Sequence, residues 1–158
     1  MKRLFQIDEY VAGIFLLLTV VIVTINIGMR YFFNAPIRSA EEIATICFIW
    51  SVFLGGASCY RQKMHMGIDI ITQLLKGKVK LYVELIINFI VMIMNGVFAY
   101  LSIIFSYSSR LKPTAVLGIS SIYVNFSLAV GFSLIFLYSI IEIIKTIKII
   151  KNKKKGEK

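Results

Sequence analysis

Few residues in this chain could do acid–base, metal or redox chemistry, and their spacing limits them further. The carboxylates Asp8, Glu9, Glu41, Glu42, Asp69, Glu84 and Glu142 all stand at the edges of apolar runs or in the polar stretches between them. A proton relay or coupled-ion site within a membrane needs an ionisable group deep inside such a run, and these positions do not supply one. His65 is the single histidine, so a bis-histidine haem cannot form within one chain, and a Cys/His metal cluster lacks ligands. Cys47 and Cys59 fall on one expected helix about 18 Å apart along its axis, too far for a disulfide, and read as small packing residues. No G-x-S-x-G, H-E-x-x-H or phosphate-loop pattern occurs. The chain is therefore not read as an enzyme, and no catalytic, cofactor-binding or metal-ligating residue is assigned.

The elements that hold these residues follow from hydropathy. Of 158 residues 58% are hydrophobic, and the mean hydropathy is +0.82. Several apolar runs reach 18 residues, which a soluble domain of this size would not carry, so the fold class is an all-α integral membrane protein. Residues 1–158 read as a single membrane domain with four transmembrane helices, at about 11–29, 42–60, 81–106 and 122–144. The net charge of +10 does not point to nucleic acid, because the lysines and arginines lie outside the apolar runs, as the positive-inside rule requires. Lys2 and Arg3 precede the first run as in a signal peptide. That run is too long for one and lacks a small-x-small cleavage pattern, so it is expected to be retained as a span.

The centre of the pattern is 30–69. Nineteen residues separate Glu42 from Arg61, about 28 Å of helix, which matches a hydrocarbon core of ~30 Å. In the first span Thr19, Asn26 and Arg30 recur on one face, which should meet protein, and Tyr31, Phe32 and Phe33 form an interfacial aromatic belt. Asn34 and Pro36 turn the chain. Ser39 with Glu42 has the S-x-x-E form of a capping box. Glu41 and Glu42 read either as cap and solvated charge or as ion-pair partners of Arg30, Arg38 or another subunit. Ser51, Gly55 and Cys59 make a small-xxx-small seam, widened by Gly56, Ala57 and Ser58, and Trp50, placed mid-span, should pack against another helix. Between the second and third spans, residues 66–76 alternate Ile68, Ile71, Leu74 and Leu75 with Asp69, Gln73 and Lys76, which predicts a short interfacial amphipathic helix. Asn88, Met92, Asn95, Ala99, Ser102 and Ser106 follow at heptad spacing in the third span and predict helix contact along it. Ser127 and Gly131 form a small pair in the fourth. Residues 145–158 form a lysine-rich tail, expected to be solvated and frayed, with affinity for anionic phospholipid.

Charge sets the orientation. Lys2 and Arg3, five basic residues in 61–80 and seven in the tail face four in the other two loops, Arg30, Arg38, Arg110 and Lys112. Both termini are therefore expected on the cytoplasmic side.

The stretches R-Y-F-F-N-A-P, E-E-I-A, F-I-W-S-V-F-L-G-G-A, R-x-x-x-H-x-x-x-D and P-T-A-V-L-G-I together resemble the small membrane subunit of tripartite ATP-independent periplasmic (TRAP) transporters, the DctQ-like family. The likeness covers nearly the whole chain. Ser39 stands where that family commonly has an aromatic residue, and Ser120 and Val130 where it often has proline. The resemblance implies a scaffold subunit in a bacterial inner membrane. It would pack against a large elevator-type subunit that binds sodium, with a periplasmic binding protein delivering an organic acid such as a C4-dicarboxylate, sialic acid or another sugar acid. It also implies a charged signature, Arg30, Glu41, Glu42, Arg61, His65 and Asp69. The seams then place the large-subunit interface at Trp50, Ser51, Phe53, Leu54, Gly55, Cys59, Asn88, Asn95, Ser127 and Gly131. The outer charges Arg38, Arg110 and Lys112 become the expected contact for the binding protein. The competing classes are a small four-span drug/proton exchanger, which would need a carboxylate in the first span, and a membrane anchor of a redox complex.

Overall fold

The computed structural model describes residues 7–62 and 78–155. They form four helices: α1 (Ile7–Phe33), α2 (Arg38–Arg61), α3 (Lys78–Ser108) and α4 (Ile122–Lys155). Each is long and apolar enough to cross a membrane. The expected interfacial helix at 66–76, with His65 and Asp69, lies outside the described residues.

Every helix exceeds the span read from hydropathy, because helical hydrogen bonding continues into the polar flanks where the apolar signal has ended. The difference is largest in α4. The tail expected to fray is helical as far as Lys155, so α4 is about 51 Å long and runs well past a ~30 Å hydrocarbon core. A second correction concerns the start of α2. Ile37 occupies the N-cap position and no side chain caps it, so Ser39 and Glu42 do not form a capping box. Helix formation begins one residue before Ser39, which puts the serine inside the first turn, where it cannot act as a cap. The orphan amide is satisfied from α1 instead: buried Asn26 accepts the Ile37 N–H through Oδ1 at 2.8 Å.

The extensive packings join α1 to α2, α2 to α4, and α4 to α3. The helices therefore stand in the order α1–α2–α4–α3, and the two inner ones carry most of the burial. The seam on α3 explains its place: Ala99, Ser102 and Ser106 are buried, and Asn88, Met92 and Asn95 are half-buried. Small residues let two helices approach closely where lipid offers no hydrophobic drive for association. The closest approach is between α2 and α4. A Cβ built on Gly131 would lie 2.8 Å from Phe53 Cβ and 3.1 Å from the Phe53 carbonyl oxygen, so only glycine fits. Aromatic side chains pack beside this crossing, with Phe132 meeting Phe53 edge-on at 5.7 Å and Phe98 of α3 at 5.4 Å.

Candidate functional site

The chemistry of the chain is concentrated in polar contacts at its two ends and in one buried network between them. At the end where α1 starts and α2 stops, the register of the antiparallel α1–α2 pair brings Asp8 to Arg61. Arg61 lies 3.3 Å from Asp8 Oδ1 and 3.4 Å from Glu9, and its Nε donates to Asp8 Oδ2 at 3.4 Å. Asp8 is buried and Arg61 largely so. Tyr138 of α4 donates to the same carboxylate at 3.2 Å, and Gln62 donates to Glu9 at 2.7 Å. Although Arg61 is within ion-pairing distance of Asp8 Oδ1, no donor is aligned with that oxygen, so charge rather than directed hydrogen bonding dominates there.

Deeper in the apolar region, Tyr60 of α2 donates to Asn88 Oδ1 on α3 at 3.1 Å and pairs with Ser139 of α4 at 2.8 Å. Ser139 is fully buried, and its one hydroxyl proton is within reach of two acceptors, the Tyr60 oxygen and the Ile135 carbonyl. Three helices thus share one polar knot, which gives an Asn88 side chain in hydrocarbon the partner it requires.

At the opposite end, Glu42 reaches across the molecule. Its Oε2 accepts the N–H groups of Val116 at 2.7 Å and Leu117 at 3.0 Å, both in the α3–α4 loop. The Thr114 hydroxyl lies beside the same carboxylate, although neither Thr114 Oγ1 nor Glu42 Oε1 meets hydrogen-bond geometry. The loop is further closed by an isolated antiparallel bridge between Pro113 and Ser120, by Thr114 N–H to Ile119 O at 2.8 Å, and by Gly118 with φ +66°. Arg110 is held over Tyr107, 4.2 Å from the ring centre. Trp50 packs on Phe15 of α1 and donates its indole N–H to the Tyr123 carbonyl at the head of α4.

The charged signature residues are therefore split by the fold. Arg61 is joined to Asp8 and Glu9, Glu42 to the loop, and Arg30, Arg38 and Glu41 to no ion partner among the described residues. The expected pairing of the glutamates with Arg30 or Arg38 is not what the structure shows. Of the seam residues, Ser51, Leu54, Ser127 and Gly131 are buried between helices of this same chain, and Gly55 faces Ala12 of α1. Asn95 bonds the Val91 carbonyl of its own helix. Cys59 is exposed, in line with Thr45, Phe48, Val52 and Gly56 along one outward stripe of α2. Tyr60, Tyr138 and Ser139 escaped sequence reasoning. Tyr60 lies in the polar end of its helix and Tyr138 and Ser139 form one adjacent pair, so no helical period marks any of them.

The family model described as Tripartite ATP-independent periplasmic transporters, DctQ component, matches residues 19–149. A TRAP transporter small permease protein of Haemophilus influenzae is 28% identical over 123 residues, covering 78% of this chain and 74% of that one. The sialic acid TRAP transporter small permease protein SiaQ of Vibrio cholerae is 25% identical over 127 residues, covering 80% and 73%. The sialic acid TRAP transporter permease protein SiaT of Haemophilus influenzae is 23% identical over 124 residues. That match spans 78% of this chain but only 20% of the much longer relative.

Proposed function

Since the chain belongs to the DctQ component family of tripartite ATP-independent periplasmic transporters, we propose that it is the scaffold beside a larger, elevator-type permease subunit in a bacterial inner membrane. Both termini face the cytoplasm in this reading, and the α3–α4 loop helps to dock a periplasmic binding protein. Sodium binds the large subunit, and the cargo is an organic acid, with sialic acid favoured by the names of two relatives.

One observation carries the reading. A stretch similar to this chain forms a fifth of a longer permease, so in that relative the small unit is tied covalently to something larger. The geometry is consistent with a supporting role. Tyr60, Asn88 and Ser139 are committed to holding three helices together, and α1 has no carboxylate between 11 and 29 for a drug/proton exchanger to use. We place the large-subunit interface on α2, a refinement of what the seams suggested, because the α3 seam packs against α4 of the same chain. Ser51, Leu54, Ser127 and Gly131 support the contact from within, while the outward stripe of Phe48, Val52, Gly56 and Cys59 meets the partner. Arg38, Arg110 and Lys112 remain the proposed binding-protein contact.

The test is co-expression with the large permease subunit and a binding protein, followed by co-purification and uptake in proteoliposomes. Gly56→Leu places a side chain where nothing lies within 4 Å in the subunit itself. The variant should insert normally and lose the large subunit from the purified complex. Gly55→Leu would instead press α1 away from α2 and is a poor probe of the interface. A complex that survives Gly56→Leu intact removes the stripe, and uptake by this chain alone would overturn the scaffold role.

A further inference from the structure

A cavity of about 110 Å³ opens between α1 and α2 at the turn end, lined by Val23, Asn26, Ile27, Arg30, Ala40 and Glu41. Its two charges are opposite in sign, and neither forms an ion pair with the other or with any described residue. Asn26 has its Oδ1 committed to the Ile37 N–H, which leaves its amide nitrogen as a donor at the same place. Arg30, Asn26 and Glu41 thus border one small space, while Val23 and Ile27 give it an apolar wall.

Depth in the membrane narrows the ligand. α1 is 27 residues, about 40 Å, so its last three residues or so pass beyond a ~30 Å hydrocarbon core into the headgroup layer. Arg30 lies at that boundary, just before the exposed Tyr31, Phe32 and Phe33. Val23 lies seven residues deeper, about 10 Å into the hydrocarbon. The cavity is smaller than the roughly 150 Å³ engineered apolar cavity that takes up benzene, so it admits a headgroup fragment but not a whole lipid. A molecule that fits has one anionic group for Arg30, one cationic donor for Glu41 and a tail that runs outward along Ile27 and Val23.

We propose that this cavity binds the headgroup of a zwitterionic phospholipid carrying a primary ammonium, with phosphate on Arg30 and ammonium on Glu41. Guanidinium–phosphate and ammonium–carboxylate contacts are charge-assisted, and both are strengthened beside the low dielectric of the acyl region. A phosphatidylglycerol-type lipid would satisfy Arg30 alone. A choline headgroup cannot donate to Glu41 and is bulkier. The site therefore selects among lipids by chemistry.

The experiment uses the full chain, delipidated in detergent and re-exposed to defined lipids, with retained lipid read by native mass spectrometry. Phosphatidylethanolamine should be retained about tenfold more than phosphatidylcholine and several-fold more than phosphatidylglycerol, the loss of one charge-assisted contact being worth about a factor of ten. Arg30→Gln should reduce retention of both phosphatidylethanolamine and phosphatidylglycerol about tenfold. Glu41→Gln should bring phosphatidylethanolamine down to the phosphatidylglycerol level and leave the latter unchanged. Both side chains are exposed and without described ion partners, so neither change should disturb folding, and helical content by circular dichroism checks this. Val23→Trp, which fills the apolar side of the cavity with both charges kept, should abolish the selectivity. Equal retention of the three lipids, or variants that bind as the parent does, would overturn the proposal. So would glycerophosphoethanolamine binding as tightly as the lipid, since the ligand would then be a soluble zwitterion. Loss of the selectivity on assembly with the large permease subunit would show that a protein side chain occupies the cavity, and would also overturn it. The lipid-retention arms on the isolated chain do not depend on the scaffold reading, because no partner is present in them.

Discussion

At the scale of single residues, Arg61 and Gly131 have the clearest consequences. Arg61 compensates a buried Asp8 and simultaneously holds Glu9, so its removal leaves a carboxylate stranded at low exposure. Breaking one side of such a pair typically costs about 3–5 kcal/mol, whereas removing both charges costs far less. Arg61→Ala should lower unfolding stability in mixed micelles by about 3 kcal/mol, and Arg61→Gln with Asp8→Asn should restore most of it. A double-mutant cycle that shows no coupling would mean the two charges act independently. Gly131 responds to shape alone. Gly131→Ala forces a methyl group to within 3.1 Å of a backbone oxygen that cannot swing aside, and should destabilise the α2–α4 crossing by about 1–3 kcal/mol. The same substitution at Gly56, where nothing lies within 4 Å, should be neutral in the isolated subunit.

At the scale of elements, the α3–α4 loop is the segment whose structure depends on a residue far from it in sequence. Its own hydrogen bonds close a small hairpin-like turn, and Glu42 fixes that turn onto α2 through two backbone amides. A loop held this way presents its exposed Leu111, Lys112 and Val116 in one arrangement, which lowers the ordering cost of docking a partner. In Glu42→Gln the charge-assisted bonds are lost while the side-chain shape is kept. Hydrogen exchange at the Val116 and Leu117 amides should then accelerate about tenfold, with the α2 amides at Ser51 to Tyr60 unaffected. Unchanged exchange at those two amides would mean that the loop holds itself. The glutamate pair in E-E-I-A was legible in the sequence, but its division of labour was not. Both residues suited a helix N-terminus equally, and only the distance from α2 to the loop separates the one that clamps from the one left in the cavity with Arg30.

At the scale of the whole molecule, four helices in the order α1–α2–α4–α3 leave the outer two with a partner on one side only. Such a row is suited to lie flat against a larger membrane body, and its polar contacts serve to keep it stiff. The long α4 carries basic residues well beyond the hydrocarbon thickness, on the end where Arg61 also lies. Orientation gives a direct check. Tyr31→Cys and Lys151→Cys, in a background with Cys47 and Cys59 replaced by serine, should be labelled by a membrane-impermeant maleimide from opposite faces of the membrane. Tyr31→Cys should react in intact cells and Lys151→Cys only after lysis. Labelling of both from one side would contradict a four-span arrangement.

Sequence alone determined the membrane class, the number of spans, the family likeness and the small-residue seams. Each depends on a local quantity: a run length set against bilayer thickness, a repeat along one helix, or a motif. Tertiary structure decided which polar group meets which. Asp8, Tyr60, Tyr138 and Ser139 stand at positions that no helical repeat marks, and their partners follow from the order and rotation of helices that are far apart in the chain. The seam residues show the same division. Their spacing announced that something packs closely against them, and the placement of α4 between α2 and α3 made much of that something the chain itself.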